Sequence, residues 1–194
     1  ARLWDLEGNE LMVLKGHTSQ VFSAQFSPDG KNLVTASGDG TARIWNIEMK
    51  ENPIFKGHTA YVVDAVISLD NNYILTSGYD GTAKLWSMSG ALLNSLAGFE
   101  SNYINSANFS PENQNIIVAA SDGQLRYYNI KGENISSFKF INGGYMTAKY
   151  SQNGKLLIKL PAINEALIWN EKQDTIDHLK NVNTINFINS TQNF

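Results

Sequence analysis

The chain has 194 residues, of which 42% are hydrophobic and 17% charged, and its 15 Lys or Arg against 18 Asp or Glu give a formal net charge of −3. This composition is typical of a folded globular chain, and without a cationic excess nucleic acid and anionic membrane surfaces are poor partners. The chain has no cysteine, which excludes disulfides, thiolate zinc sites and cysteine nucleophiles and favours a reducing, cytoplasmic location.

The first residues carry no sign of a targeting segment. The chain starts at Ala1 without a Met or a charged-then-apolar leader, and no run approaches the roughly 18 to 20 consecutive apolar residues of a membrane span. Residues 1–5 match residues 42–46, which lie 41 positions later. The sequence therefore begins inside a repeat, and we expect it to be cut from a longer chain with attached domains.

The two best copies of this repeat follow directly. The segment Gly-His-Thr at residues 16–18 recurs at 57–59, and Thr-Ala-Arg-Ile-Trp at 41–45 recurs as Thr-Ala-Lys-Leu-Trp at 82–86. Both offsets are 41 residues. Self-similarity at such a period indicates an array of equivalent structural units in one domain.

Later copies are degenerate. The third keeps Ser-Pro at 110–111 and Ser-Asp-Gly at 121–123, the fourth keeps Trp169 but has lost the Asp-Gly turn, and a fifth opens at 182–187. The predicted units are a partial one at 1–14, four repeats at about 15–55, 56–96, 97–140 and 141–178, and a partial one at 179–194.

Each repeat contains four short apolar stretches. In the first complete copy they cover residues 20–26, 32–37, 41–46 and 53–55. Apolar and polar residues alternate within them, and Pro-Asp-Gly or Gly-Asp-Gly stands between them. This pattern predicts short β-strands joined by tight turns, and therefore an all-β fold.

A period of 41 residues with a Gly-His pair, four strands and a Trp followed by Asp or Asn resembles the WD40 repeat, the building block of β-propellers. The resemblance covers nearly the whole chain and implies a WD40-type propeller with about four and a half four-stranded blades. We expect these blades to be part of a larger propeller of about seven. The alternative is that residues 1–14 meet residues 182–187 and close five blades.

Four side chains recur together in the first two full copies, as His17, Thr35, Asp39 and Trp45, and as His58, Thr76, Asp80 and Trp86. His, Thr and Asp are the residue types of a hydrolase triad. A triad is needed once, whereas this set returns with the repeat, which favours a structural role. The WD40 resemblance implies a buried network in which Asp holds His, His meets the Thr hydroxyl, and that hydroxyl accepts the indole N–H.

The degenerate copies favour the same interpretation. Phe99, Val118 and Tyr128 stand at the His, Thr and Trp positions of the third copy. Packing can replace a hydrogen-bonded network, whereas catalysis would not survive these changes. The histidines also lack a neighbouring His or Cys at ligand spacing, so the sequence predicts no metal site and no cofactor.

In WD40 proteins the commonest contact surface is the narrow top rim, made by residues entering the innermost strand and by the residue before the turn Asp. The resemblance transfers these positions to Gln20, Phe22, Gly38, Tyr61, Val63, Tyr79, Tyr103, Asn105, Ser121, Gly144 and Met146. Aromatic rings on an exposed rim are typical interface anchors. For Phe22 and Tyr103 the alternative is inward packing against the next blade. The set contains no Lys or Arg, which disfavours a reader of phosphopeptides or acidic tails.

The predicted function is that of a non-enzymatic scaffold or sensor that binds protein or peptide partners on this rim. One alternative is a propeller hydrolase or lyase with a site in the central channel, for which Asp64 is the single acid on the predicted inner strands. Another is a set of spacer repeats in a multidomain regulator resembling signalling ATPases.

Overall fold

The computed structural model describes residues 1–47, 53–101, 103–140, 144–151, 154–161, 165–169 and 175–180. These residues form 18 β-strands, arranged in four four-stranded sheets and one two-stranded sheet. The four-stranded sheets are called blades 1 to 4 in chain order, and the two-stranded sheet is called the half-blade. The half-blade contains β1 (Arg2–Trp4) and β2 (Glu10–Val13).

The four blades share one topology. Blade 1 contains β3 (Val21–Phe26), β4 (Asn32–Ser37), β5 (Thr41–Asn46) and β6 (Ile54–Lys56). Blade 2 contains β7 (Val62–Ile67), β8 (Tyr73–Gly78), β9 (Ala83–Ser87) and β10 (Leu92–Leu96). Blade 3 contains β11 (Ile104–Phe109), β12 (Asn115–Ala120), β13 (Gln124–Asn129) and β14 (Asn134–Lys139). Blade 4 contains β15 (Thr147–Tyr150), β16 (Leu156–Leu160), β17 (Glu165–Trp169) and β18 (Thr175–Lys180).

Strands that follow one another in the chain pair antiparallel in every blade, so each blade is a meander. In blades 1 to 3 an Asp-Gly turn makes the short connection between the second and third strands of the blade. Gly40, Gly81 and Gly123 have φ angles of 79°, 74° and 80°, a left-handed conformation that glycine adopts without steric cost. The preceding carboxylate closes the turn, because the N–H of Thr41 donates to Asp39 Oδ1 at 3.0 Å.

The hydrophobic core lies between the blades. Between blades 1 and 2 the fully buried side chains include Val34, Phe55, Ile74 and Trp86. The cluster between blades 2 and 3 includes Leu75, Leu85 and Ile116. The cluster between blades 3 and 4 includes Leu125, Met146 and Ile158. A smaller cluster of Leu14, Leu33 and Trp45 joins the half-blade to blade 1. Each blade is therefore stabilised mainly by its neighbours in the chain.

The first strands of successive blades lie side by side along the inner edge of the array. Equivalent serines join them, since the N–H of Ala65 donates to Ser23 Oγ at 3.3 Å and the N–H of Ala148 donates to Ser106 Oγ at 3.0 Å. Residues separated by one repeat in the sequence therefore become neighbours in space.

The predicted all-β fold with WD40-type blades is confirmed. The four strands predicted for the first copy match β3 to β6, with ends displaced by at most one residue. Strand β18 ends at Lys180, two residues past the predicted end of the fourth repeat. The predicted strand at 182–187 lies outside the described residues, so closure into five blades and membership of a larger propeller stay predictions.

Candidate functional site: a repeated hydrogen-bond network and an aromatic rim

The structure brings the four recurring residues of the first copy into one chain of hydrogen bonds. Trp45 Nε1 donates to Thr35 Oγ1 at 2.8 Å, Thr35 Oγ1 lies 2.8 Å from His17 Nε2, and His17 Nδ1 lies 2.8 Å from Asp39 Oδ2. The His17 and Asp39 side chains are only 4% and 8% exposed. The strand β4 provides the hydroxyl, β5 provides the indole, and the turn between them provides the carboxylate.

The geometry assigns a proton to each link of this chain. The Thr35 oxygen accepts the indole N–H, so its own proton is free to be donated to His17 Nε2, and His17 Nδ1–H then donates to the Asp39 carboxylate. This pattern requires a neutral imidazole. Burial disfavours the Asp39 carboxylate, but hydrogen bonds from Thr41 and His17 outweigh burial and hold its pKa well below the usual range.

Blade 2 repeats the arrangement. Trp86 Nε1 donates to Thr76 Oγ1 at 2.9 Å, Thr76 Oγ1 lies 2.8 Å from His58 Nε2, and His58 Nδ1 lies 2.9 Å from Asp80 Oδ2. Burial lowers the pKa of His58 despite the neighbouring Asp80. Burial also opposes ionisation of Asp80, but hydrogen bonds from Thr82 and His58 lower its pKa below the ordinary value. The second network is therefore also built on a neutral histidine.

Blade 3 replaces the network by packing. The guanidinium carbon of Arg126 lies 4.6 Å from the centroid of Phe99, which stands at the His position, and the Tyr128 hydroxyl donates to the Ala97 carbonyl oxygen at 3.4 Å. Asp122 keeps its turn role and accepts the N–H of Ser101 at 3.0 Å. In blade 4, Trp169 packs against Phe138 and Phe140, and its buried indole N–H has no partner among the described residues.

A second feature is a row of four rings along the rim of blades 1 to 3, called here the aromatic strip: Phe22, Tyr61, Tyr79 and Tyr103. Successive ring centroids lie 5.9, 6.3 and 4.7 Å apart. Phe22, Tyr61 and Tyr103 are 42%, 52% and 46% exposed, and Tyr79 is half-buried between its neighbours. Phe22 and Tyr103 therefore each contact a ring of the neighbouring repeat, which is that of blade 2 in both cases, while keeping a large accessible surface.

The backbone beside the strip is already paired. In blades 1 to 3 the N–H of the residue before the turn Asp donates to the carbonyl oxygen of the residue entering the inner strand, at 2.9 Å in each case: Gly38 to Gln20, Tyr79 to Tyr61, and Ser121 to Tyr103. These bonds hold the two halves of the rim together. The backbone groups in these three bonds are consequently not available to a partner.

The rim positions outside the aromatic strip differ in exposure and in hydrogen bonding. Gln20 is exposed, whereas Val63, Asn105 and Ser121 are half-buried. Asn105 is already engaged, since it accepts the Ser121 hydroxyl at 2.8 Å and donates from Nδ2 to the Met146 carbonyl oxygen at 3.1 Å. It therefore connects the rims of blades 3 and 4.

The structure corrects the prediction for Met146. Its side chain is fully buried in the cluster between blades 3 and 4, so only its backbone reaches the rim. The accessible residue here is Tyr145, which is 67% exposed and has a φ of 55°. Sequence reasoning missed Tyr145 because Met146 does stand at the position of Phe22, and which of the two adjacent residues turns outward depends on the local backbone, which is irregular at this point in blades 1 to 3 and left-handed at Tyr145.

The acid considered for a channel enzyme, Asp64, lies near Lys149 and Ser23. Burial raises the pKa of Asp64, and the charge of Lys149 and a hydrogen bond from Ser23 oppose that shift only in part. Within the part of the chain that the structure describes, no group of three or more His, Cys, Asp or Glu side chains could hold a metal ion. Among the same residues, no helix is long and apolar enough to cross a membrane.

Stacked four-stranded meanders joined by inner-edge contacts, with a His-Asp-Thr-Trp network repeated in adjacent blades, define a protein of the β-propeller class. A family model described as "WD domain, G-beta repeat" matches residues 8–46, 49–87 and 90–129, which is more than half of the chain. The chain therefore belongs to the WD40-repeat family. Repeats of this family generally mediate protein–protein interaction.

Individual relatives match a single repeat-sized segment. Over 40 residues the chain is 52% identical to Coronin-7 of Rattus norvegicus and of Mus musculus, and 48% identical to Coronin-7 of Homo sapiens. The matched segment covers 20% of this chain and 4% of each relative. The chain thus spans a small fraction of the length of these curated relatives, and their similarity supports the repeat type.

Proposed function

We propose that this protein is a non-enzymatic, cytoplasmic interaction module that binds a protein or peptide partner through the aromatic strip. The observation that carries the proposal is the continuous contact of four rings from three blades, three of which keep more than two fifths of their surface exposed. Large exposed rings in contact bury much area on binding at a low cost in side-chain entropy.

The position of the strip supports this proposal. Each tyrosine or phenylalanine ring lies beside a backbone bond that fixes the rim, so the rings are held in place by the blades before a partner arrives. A preorganised surface loses little conformational entropy on binding. A rim without Lys or Arg, on a chain of net charge −3, favours protein partners over nucleic acid or membranes.

The competing enzyme function has weaker support. The triad-like residues are saturated with one another, because Thr35 and Thr76 each contact both an indole and an imidazole. A nucleophilic hydroxyl has to be accessible to substrate, whereas both threonines are fully buried. We expect no turnover in an ester, glycoside and phosphate screen, and turnover that vanishes in Thr35→Ala would overturn this view.

The proposed function is tested by comparing partner capture from native extract by the wild-type protein and by the Tyr61→Ala/Tyr79→Ala double variant. Truncation of an interface anchor commonly costs about 2 kcal/mol, which is about a 30-fold loss of affinity. We expect the double variant to lose the partners that the wild-type protein retains, as quantified by mass spectrometry of the bound fraction.

The matched control is Ile135→Ala on the outer strand β14, because Ile135 is 56% exposed and lies outside the strip. This control should retain every partner, and circular dichroism should show the same melting temperature for the double variant as for the wild type within a few degrees. Full retention of all partners by a folded double variant would move the binding site to the outer strands or the opposite face.

A further inference from the structure

We propose that the ligand of the aromatic strip is an extended, proline-rich segment in the polyproline II conformation. This inference rests on the proposed function of the strip as a binding site and specifies the chemistry of its partner. It follows from three properties of the rim: its paired backbone, its narrow shape and its hydrogen-bonding groups.

The backbone pairs beside the strip disfavour one common mode of peptide binding. A peptide that adds as a strand needs unpaired N–H and C=O groups along a sheet edge. At the strip, the N–H of Tyr79 donates to the Tyr61 carbonyl oxygen and the N–H of Ser121 donates to the Tyr103 carbonyl oxygen, both at 2.9 Å. These backbone groups are already used, which favours recognition of a ligand through the side chains of the strip.

The shape of the strip favours a thin ligand. Its four rings form a single row with centroid separations of 5.9, 6.3 and 4.7 Å, bordered by polar Gln20, Asn105 and Ser121. An amphipathic helix needs an apolar groove about as wide as itself, about 10 Å. The centroid separations add up to at most about 17 Å along the row, which corresponds to about five residues of polyproline II at about 3.1 Å per residue.

The hydrogen-bonding groups of the strip are three tyrosine hydroxyls, each of which can donate one hydrogen bond. The hydroxyls of Tyr61, Tyr79 and Tyr103 make no hydrogen bond to another described residue, and no charged side chain belongs to the strip. A proline-rich segment in polyproline II is the complementary ligand, because proline has no N–H and its carbonyl oxygens point outward without internal partners. Its rings also pack on aromatic faces, and its stiffness lowers the entropy lost on binding.

The test uses three fluorescein-labelled peptides and the whole protein. The protein is added to each peptide up to millimolar concentration, and binding is followed by fluorescence anisotropy. The first peptide is Ala-Pro-Pro-Leu-Pro-Pro-Leu-Pro-Pro-Ala, the second has every Pro replaced by Ala, and the third keeps Pro but has Lys in place of Leu. We expect the first peptide to bind at least about tenfold more tightly than the all-Ala analogue, because only the first is preorganised.

Variants connect the binding to the strip. Tyr61→Ala/Tyr79→Ala should abolish binding of the proline peptide, Tyr79→Phe should weaken it by about fivefold through loss of one hydroxyl donor, and Ile135→Ala should leave it unchanged. Preference for the Lys peptide over the Leu peptide would instead indicate recognition of cations by the rings and would overturn the inference.

The two proposals fail separately. If the all-Ala analogue binds as well as the proline peptide, or if the proline peptide does not bind, the inference about proline is wrong. Should the double variant still lose its native partners in that case, the strip remains the binding site. If a folded double variant retains those partners, the proposed function itself is wrong.

Discussion

At the scale of single residues, the two histidines of the repeated network act as neutral relays. Each imidazole accepts a hydrogen bond from a threonine hydroxyl at Nε2 and donates one from Nδ1–H to a carboxylate. Protonation of Nε2 would turn this acceptor into a donor, and the Thr hydroxyl proton would then need another acceptor. The network therefore makes stability dependent on both a carboxylate and a neutral ring.

Removal of the Asp39 carboxylate should destabilise the fold, because its role is structural rather than catalytic. Asp39 accepts hydrogen bonds from His17, from the N–H of Thr18 and from both the N–H and the hydroxyl of Thr41. Asp39→Ala removes the acceptor of these donors, those of His17 and Thr41 being partly buried, so we expect a loss of about 1–3 kcal/mol and a lower melting temperature. Asp80→Ala should behave alike.

The control for this prediction is Glu7→Ala, because Glu7 is exposed in the half-blade. It should change the free energy of unfolding by less than about 0.5 kcal/mol. An unchanged melting temperature in Asp39→Ala, together with loss of a measured catalytic activity, would contradict the structural role.

The pH dependence of stability follows from the direction of the shifts. The pKa of His58 in the folded chain lies below the ordinary 6.5, so the unfolded chain binds the proton first as the pH falls. The free energy of unfolding should therefore decrease below about pH 6.5. A second decrease should begin near 3.8, because the pKa values of Asp39 and Asp80 are lowered from that value.

Urea unfolding at a series of pH values measures both steps. His58→Gln should be less stable at neutral pH and should show a smaller decrease between about pH 7 and 5 than the wild type, because one titrating group is gone. Stability that rises as the pH falls through this range would show that His58 is instead charged in the folded protein.

At the scale of elements, blades 1 to 3 each depend on one tight Asp-Gly turn between the second and third strands. Both residues of the Asp-Gly sequence stabilise that turn. In blade 2 the Asp80 carboxylate accepts the N–H of Thr82, and Gly81 takes the left-handed conformation. The same turn places the preceding residue, Tyr79 in blade 2, on the rim. Turn chemistry and the position of the aromatic strip are thus coupled.

Gly81→Ala should therefore destabilise blade 2 by about 1–2 kcal/mol, because an alanine at a φ of 74° is strained. The control is Gly144→Ala, whose added Cβ would meet only the Ser121 carbonyl oxygen at 3.8 Å, an ordinary contact. Chemical denaturation measures both variants. Equal stability of the two would show that the turn of blade 2 relaxes without cost.

At the scale of the whole molecule, cohesion is passed from blade to blade. The three large clusters each join one pair of neighbouring blades, and the strip crosses two of these boundaries through ring contacts. A change at one boundary should therefore act mainly on the two blades that share it.

Phe55→Ala tests this directly, since Phe55 is fully buried between blades 1 and 2 and packs on Trp86 at a centroid distance of 5.7 Å. We expect the free energy of unfolding to fall by about 3–5 kcal/mol. Hydrogen exchange should increase, relative to the wild type, more in β3 to β10 than in β15 to β18. An equal increase in exchange over all blades would show instead that the array unfolds as one cooperative unit.

The sequence by itself determined the repeat, the strands and the turns, because these depend on local patterns: alternation of apolar residues, Asp-Gly at a left-handed position, and a His-Thr-Asp-Trp set at constant spacing. The networks of blades 1 and 2 could be foreseen residue by residue for the same reason. Around Met146 the repeat offset is kept, but the exposed residue is Tyr145, because the local backbone decides which of the two side chains turns outward.

Only the tertiary structure decided which rim residues form one surface. Phe22, Tyr61, Tyr79 and Tyr103 come from three repeats, and their contact depends on the angle and spacing between blades, which no local pattern encodes. The same holds for the burial of Met146 and for blade 3, where Arg126 stacked on Phe99 takes the place of the histidine network. Exposure and contact are properties of packed neighbours, so they appear only when the blades are assembled.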